Sequence, residues 1–164
     1  MSEGSGRRGF VIGVISDTHG VLCDAALEAL GCADAIVHAG DVVGHGVLDV
    51  LRSVAPVTAV RGNCDTDGET RSLPAVANVV MGGVRLIAAH DLAHLSGNLD
   101  PVAAGARIAV SGHTHVALVE ERDGVLFVNP GSASASADGG PSVARITVAP
   151  DGAVSAEIVR LSPG

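Results

Sequence analysis

Phe10-Val11-Ile12-Gly13-Val14-Ile15-Ser16-Asp17-Thr18-His19, residues 10–19, is the stretch from which the rest of the chain can be read. Its first six positions are apolar or glycine without alternation. That suits a strand covered on both faces, because a strand with one wet face alternates. The run then stops on a small polar cluster holding a carboxylate and an imidazole two residues apart. The same ending recurs along the chain. Apolar runs at 35–38, 57–60, 84–89 and 108–110 are followed by Asp41, Asn63, His90, and His113 with His115. Seven metal-compatible side chains thus sit at the ends of five apolar runs. An α/β sheet gathers distant residues in this way, at the carboxyl ends of its strands. A two-metal hydrolytic centre is the leading reading.

Between these runs the spacing predicts helices over 21–30, stopped by Gly31, and over 47–54, stopped before Pro56. Strand, helix, strand, helix, strand in that order implies a parallel sheet with right-handed crossovers. The second half predicts three hairpins. The first joins 75–80 to 84–89 through Met81-Gly82-Gly83, the second joins 116–120 to 125–128 through Arg122-Asp123-Gly124, and the third joins 142–148 to 153–161 through Ala149-Pro150-Asp151-Gly152. A short helix is expected between 97 and 106, and a Ser/Ala/Gly-rich loop over 132–140. One domain over 1–164 is expected, with residues 1–8 disordered and two sheets packed face to face.

The 164 residues are 47% hydrophobic and 17% charged, enough to bury a core. Phe10 and Phe127 are the only aromatics, so Ala, Val and Leu must fill it. The net charge is −8, and all ten basic residues are Arg. That balance argues against a general nucleic-acid surface, and the two aromatics lie away from the candidate ligands, which weakens base stacking. Three cysteines, Cys23, Cys32 and Cys64, form no disulfide pattern, and a cytoplasmic location is expected. Arg7-Arg8 superficially fits a twin-arginine signal, but the apolar run after it ends too soon. No run is long enough for a membrane span.

Each cluster alone has a plain alternative. Asp17 and Asp41 could cap helices, and Gly62-Asn63 could simply make a turn. His38 sits inside a strand pattern and is expected to be a hydrogen-bonded core histidine. His94, four residues past His90, is expected in an exposed loop. Gly112-His113-Thr114-His115 is the sharpest motif, because alternate residues of an extended segment share a face.

Together, Asp17-Thr18-His19, Gly40-Asp41, Gly62-Asn63-Cys64-Asp65, His90, Gly112-His113-Thr114-His115 and Asn129-Pro130-Gly131-Ser132 resemble the calcineurin-like metallophosphoesterase superfamily. The likeness is to its small single-domain phosphodiesterase branch of bacteria and archaea. The resemblance spans residues 10–132 and implies a four-layer α/β/β/α sandwich of two mixed β-sheets flanked by helices. It implies two divalent ions, manganese first, with iron, zinc and nickel as other fits. Asp17, His19 and His115 would hold one ion; Asn63, His90 and His113 would hold the second; Asp41 would bridge them. The implied activity is hydrolysis of a small phosphate ester, a diester before a monoester, by a hydroxide bridging the ions, with Asp41, Asn63 and His113 central to catalysis. The alternative is a non-catalytic scaffold of the same fold; the retention of all seven positions favours catalysis. A homo-oligomer is compatible with the chain.

Two departures stand out. Many members carry a His directly after the Asn, where it helps protonate the leaving group; this chain has Cys64 there, and the small branch commonly lacks that His as well. The stretch from His90 to Gly112 is also short. Around the ligands, Asp65 and Asp91 are expected to orient imidazoles, and Cys64 to be a small buried filler. Asn129–Ser132 is expected to form a tight turn beneath the site, with Ser132 or backbone amides near phosphate. His45, on the loop Val43-Gly44-His45-Gly46, could touch substrate phosphate or be a plain surface residue.

Overall fold

The computed structural model describes residues 8–44, 46–95, 100–134 and 139–162. His45 therefore lies outside the described residues, as do 1–7 and 135–138. The chain runs β1 (Phe10–Ile15), α1 (Asp24–Leu30), β2 (Ala35–His38), α2 (Val47–Arg52), β3 (Val57–Ala59), α3 (Gly68–Arg71), β4 (Val76–Met81), β5 (Val84–Ala89), α4 (Leu92–Leu95), β6 (Ile108–Val110), β7 (Ala117–Arg122), β8 (Val125–Pro130), β9 (Ser142–Val148) and β10 (Val154–Arg160).

Two five-stranded mixed sheets result, ordered β10-β9-β1-β2-β3 and β4-β5-β6-β8-β7. Each has three parallel strands at its heart, β1, β2 and β3 in one and β5, β6 and β8 in the other. Antiparallel strands flank them, β9 and β10 on one side of the first sheet, whose other edge is β3, and β4 and β7 at the two edges of the second. The sheets pack through a shared core in which Ile12, Val14, Val37 and Ile146 meet Leu86, Ile108, Val110 and Val128. On the opposite face of the first sheet, Ile15 and Ile36 pack with Ala26 and Leu30 of α1 and Leu48 and Leu51 of α2. Burial on both faces of β1 explains its unbroken apolar run. Outside the second sheet, Leu92 and Ala93 of α4 share a cleft with Phe127. The architecture is the four-layer α/β/β/α sandwich, with a thin fourth layer.

Several boundaries move for identifiable reasons. The first helix begins at Asp24 rather than Val21, because Asp17, His19 and Gly20 have positive φ and Val21 N–H closes a turn on Thr18 O. The second ends at Arg52, where Ser53 closes the last turn onto Asp49 O. Residues 101–105 form turns, not the helix expected between 97 and 106; of that span, 97–99 lie outside the described residues. α3 and α4 were not anticipated, and His94 lies in α4 rather than a loop. Asn129 and Pro130 continue β8 instead of turning. Pro130 is tolerated because β6 pairs with β8 only as far as Val128, so no β6 bond needs its missing N–H. Arg8, expected with a disordered start, donates to Asp34 at 2.6 Å.

Candidate metal centre

All seven candidate positions lie just past the carboxyl ends of parallel strands: Asp17 and His19 after β1, Asp41 after β2, Asn63 after β3, His90 after β5, His113 and His115 after β6. Because both sheets present these ends at one rim, residues nearly a hundred positions apart touch; His113 N–H reaches Asp17 Oδ2 at 3.2 Å. The loops are stitched together beyond the strands by Asp17 N–H to Gly40 O, His19 N–H to Asp41 O and Gly20 N–H to Val42 O. Asp17, His19, Asp41, His113 and His115 all adopt left-handed φ between 47° and 72°. Such φ values are unfavourable for non-glycine residues, and they persist only where surroundings enforce them. Here Ser132 and Ser134 hydroxyls both donate to Asp17 O, at 3.0 and 2.8 Å.

Two glycines are required by space rather than by φ. A Cβ on Gly62 would collide with Asp41 Oδ1 and N, and one on Gly112 would meet Ser16 Oγ and Asp17 Oδ2.

The two carboxylates are each held by one oxygen. Asp17 is fully buried; its Oδ2 accepts from Ser16 Oγ at 2.5 Å and from His113 N–H, while Oδ1 makes no hydrogen bond. Asp17 Oδ1 lies 3.2 Å from His115 Nε2 and 3.9 Å from both His19 Nε2 and His90 Nε2. Asp41 Oδ1 accepts Cys64 N–H at 2.8 Å, leaving Oδ2 3.3 Å from His90 Nε2 and 3.8 Å from His19 Nε2. Burial opposes the charge on Asp41, yet the His90 contact and the Cys64 N–H outweigh it and hold this carboxyl well below the usual range.

The imidazoles sort into two edge-on pairs, His19 with His115 at 5.7 Å between ring centres and His90 with His113 at 5.1 Å. His90 is nine-tenths buried or more, and its Nδ1 sits 2.8 Å from Ala39 O. A carbonyl only accepts, so Nδ1 carries a proton, and Nε2 is the atom turned towards the carboxylates. His113 turns Nδ1 inward, 3.2 Å from Asn63 Oδ1 and 3.3 Å from His90 Nε2. Its Nε2 lies 3.9 Å from Asp91 Oδ2.

The residues beside the ligands behave differently from expectation. Asp65 orients no imidazole; it accepts N–H from Val42, Val43 and Gly62 and so fixes two site loops against each other. Asp91 accepts Ala93 N–H at the start of α4 and also approaches His113. Cys64 is exposed rather than a buried filler, and its Sγ accepts N–H from Asn63 Nδ2 at 3.5 Å. Ser132 is buried and binds Asp17 O, so it does not face a substrate. Asn129 bridges Gly112 O and Thr114 Oγ1, bracing the motif above it. Ser16 and Ser134 carried no expectation; Ser16 ends the first apolar run, the one sequence signal that could have drawn attention to it.

The donor set suits borderline divalent cations: carboxylate oxygens and imidazole nitrogens, with an amide oxygen beside them. Asp17 Oδ1 and His19 Nε2 are buried atoms without a hydrogen-bond partner among the described residues. Such atoms are costly unless something else occupies their lone pairs. Asp17, His19 and His115 bring ligand atoms within 4.8 Å of one another, as do Asp17, Asp41 and His90, and His19, Asp41 and Cys64. The site therefore fits a metal.

Residues 10–151 match the family model of the calcineurin-like phosphoesterase superfamily domain. A probable metallophosphoesterase of Methanothermobacter thermautotrophicus is 30% identical, over 92% of each chain. The phosphodiesterase YfcE of Escherichia coli is 35% identical, over 77% of this chain and 81% of that one. Among solved structures, a predicted phosphoesterase from Streptococcus pneumoniae superposes with a TM-score of 0.74 at 24% identity, covering 96% and 95% of the two chains. Vacuolar Protein Sorting 29 from Cryptosporidium parvum superposes at 0.73 and 22%, covering 96% and 100%. At those identities the structural likenesses show the fold alone.

Proposed function

The chain belongs to the calcineurin-like phosphoesterase superfamily, and from that premise we propose that it is a metal-dependent phosphodiesterase acting on a small phosphate ester. The observation that carries this reading is the sorting of four imidazoles into two pairs around two shared carboxylates. Asp17, His19 and His115 would hold one divalent ion, and Asn63, His90 and His113 the other. Asp41 Oδ2, facing both His19 and His90, suits the bridging place. Manganese is the first choice, with iron, zinc or nickel also compatible with nitrogen and oxygen donors. Bound there, the ions would supply a shared hydroxide nucleophile at neutral pH and offset charge on the phosphoryl oxygens.

The protein's own part is orientation. Ser16 and His113 N–H pin one oxygen of Asp17, so the other is aimed before any ligand arrives. Cys64 N–H does the same for Asp41, and Ala39 O fixes the tautomer of His90. Prepaid ordering of this kind lowers the cost of binding a cation. Cys64 in place of an imidazole leaves a thiol, whose proton is held more tightly by partial desolvation at the rim and by the nearby Asp41 carboxylate. A thiol of this kind matches an alkoxide leaving group poorly, which favours diesters over monoesters with poor leaving groups.

The three free cysteines and the diester reading are compatible with a cytoplasmic enzyme. No helix of the described residues is long and apolar enough to cross a membrane.

The fold does not by itself separate catalysis from binding, since Vacuolar Protein Sorting 29 shares it. Parallel assays decide. Mn²⁺-loaded protein should hydrolyse bis(4-nitrophenyl) phosphate faster than 4-nitrophenyl phosphate. His113→Ala and Asp41→Asn should fall to background with unchanged circular dichroism. Full activity in both variants would remove these residues from the mechanism; metal-free protein that still held a native partner would favour the scaffold.

A further inference from the structure

Beside the second imidazole pair lies a cleft of about 220 Å³, lined by Asn63, His90 and His113 together with Ala75, Ala89 and Arg61. None of the roles above uses Arg61. It is nonetheless fixed at both ends: its N–H bonds Pro74 O at 2.8 Å, and its Nη1 donates to Arg71 O at 3.3 Å. Among the described residues, arginines ion-paired with carboxylates are Arg8, Arg52, Arg122 and Arg145; Arg61 is not one of them. The chain carries a net charge of −8, so an unpaired guanidinium is notable at this position. Asp91 also lines the cleft, but its carboxylate accepts Ala93 N–H and stands 3.9 Å from the His113 ring.

We infer that this cleft receives the substrate arm next to the scissile phosphate, and that Arg61 selects an arm carrying its own anionic group, a carboxylate or a second phosphate. This rests on the phosphoester reading above. Ala75 and Ala89 add methyl groups to a lining whose other members are polar, and the Arg61 guanidinium offers a planar fork of donors that fits an anionic oxygen pair. The volume is that of roughly seven waters and falls below the range of drug-sized pockets, so the arm is compact. Arg61 is a specificity residue under this proposal, since the reacting atoms are held by other groups.

The test is calorimetric titration of Mn²⁺-loaded wild type, Arg61→Ala and Arg61→Lys with three ligands. Propylphosphonate is the neutral-arm control. 3-Phosphonopropionate replaces its terminal methyl with a carboxylate, and ethane-1,2-diphosphonate carries a second phosphonate. Wild type should prefer one or both charged-arm ligands about tenfold over propylphosphonate, as one charge-assisted contact allows; the larger gain tells carboxylate from phosphate. Arg61→Ala should lose that preference while keeping its propylphosphonate affinity, and Arg61→Lys should keep part of it. Equal affinities in wild type, a preference that survives in Arg61→Ala, or equal losses for all ligands would overturn the inference and leave the phosphoester reading intact. Failure of every phosphonate to bind wild type would overturn both.

Discussion

His38 turns inward from the rim. It is fully buried; Gly40 N–H donates to its Nδ1 at 3.1 Å, and its Nε2 lies 3.0 Å from Thr18 Oγ1. Nδ1 therefore accepts, Nε2 carries the proton and donates to Thr18 Oγ1, and the Thr18 hydroxyl donates in turn to Val42 O. That chain ties β2 to the loop that carries Asp17 and His19. Burial, reinforced by His90, depresses the His38 pKa from 6.5 to about 3. The unfolded chain binds a proton below 6.5 that the folded one refuses until about 3, so stability declines as pH falls through that window. At about 1.4 kcal/mol per unit, the loss reaches a few kcal/mol. Asp41, held in its charged form, adds acid sensitivity of the same sign at the lower end. His38→Asn keeps an acceptor for Gly40 N–H but removes the titrating site. Urea unfolding across pH 7 to 4 should show a flatter stability profile for this variant than for wild type; identical slopes would mean that His38 does not drive the acid response.

The element that matters most is the strand-to-loop junction. The strands β1, β2 and β6 end in loops whose backbone turns back through left-handed residues, and the rim loops lie close enough that only glycine fits at 62 and 112. Gly62→Ala should therefore cost about 1–3 kcal/mol by overpacking and displace the Asp41 carboxylate. Gly83→Ala meets open space and carries only the strain of a positive φ, about 1 kcal/mol. Calorimetric Mn²⁺ binding should weaken in the first variant and not in the second; equal affinities would mean that the close packing of the loops does not set the site. The positions of the seven candidates were legible because strand ends are visible as breaks in apolar runs. The left-handed backbone at Asp17, Asp41 and His113 was not, since no residue type announces it there. Short α3 and α4 escaped because four residues are too few to show a period. Asn129-Pro130 looked like a turn on residue type, and only the short reach of β6 explains why the strand continues. Asp65 was expected to orient an imidazole and instead accepts backbone amides, which are invisible in a sequence.

At the scale of the molecule, two sheets that each look like half a fold share one core, and the candidate ligands come from both. Asp17, His19, Asp41 and Asn63 belong to the first sheet, His90, His113 and His115 to the second. The rim is complete only when the sheets are packed, which makes residues 1–164 a single folding unit on this proposal. Calorimetric and van't Hoff unfolding enthalpies should agree; two resolved transitions would contradict it. Exposed Val116, Leu118 and Val119 on and beside the edge strand β7 leave room for self-association, which sedimentation would reveal. The pairing of cations across the two sheets is tested most directly by anomalous scattering from crystals soaked in Mn²⁺. Two peaks about 3.5–4 Å apart are expected, one between Asp17, His19 and His115 and one between Asn63, His90 and His113, with Asp41 touching both. A single peak, or peaks away from Asp41, would contradict a dinuclear centre.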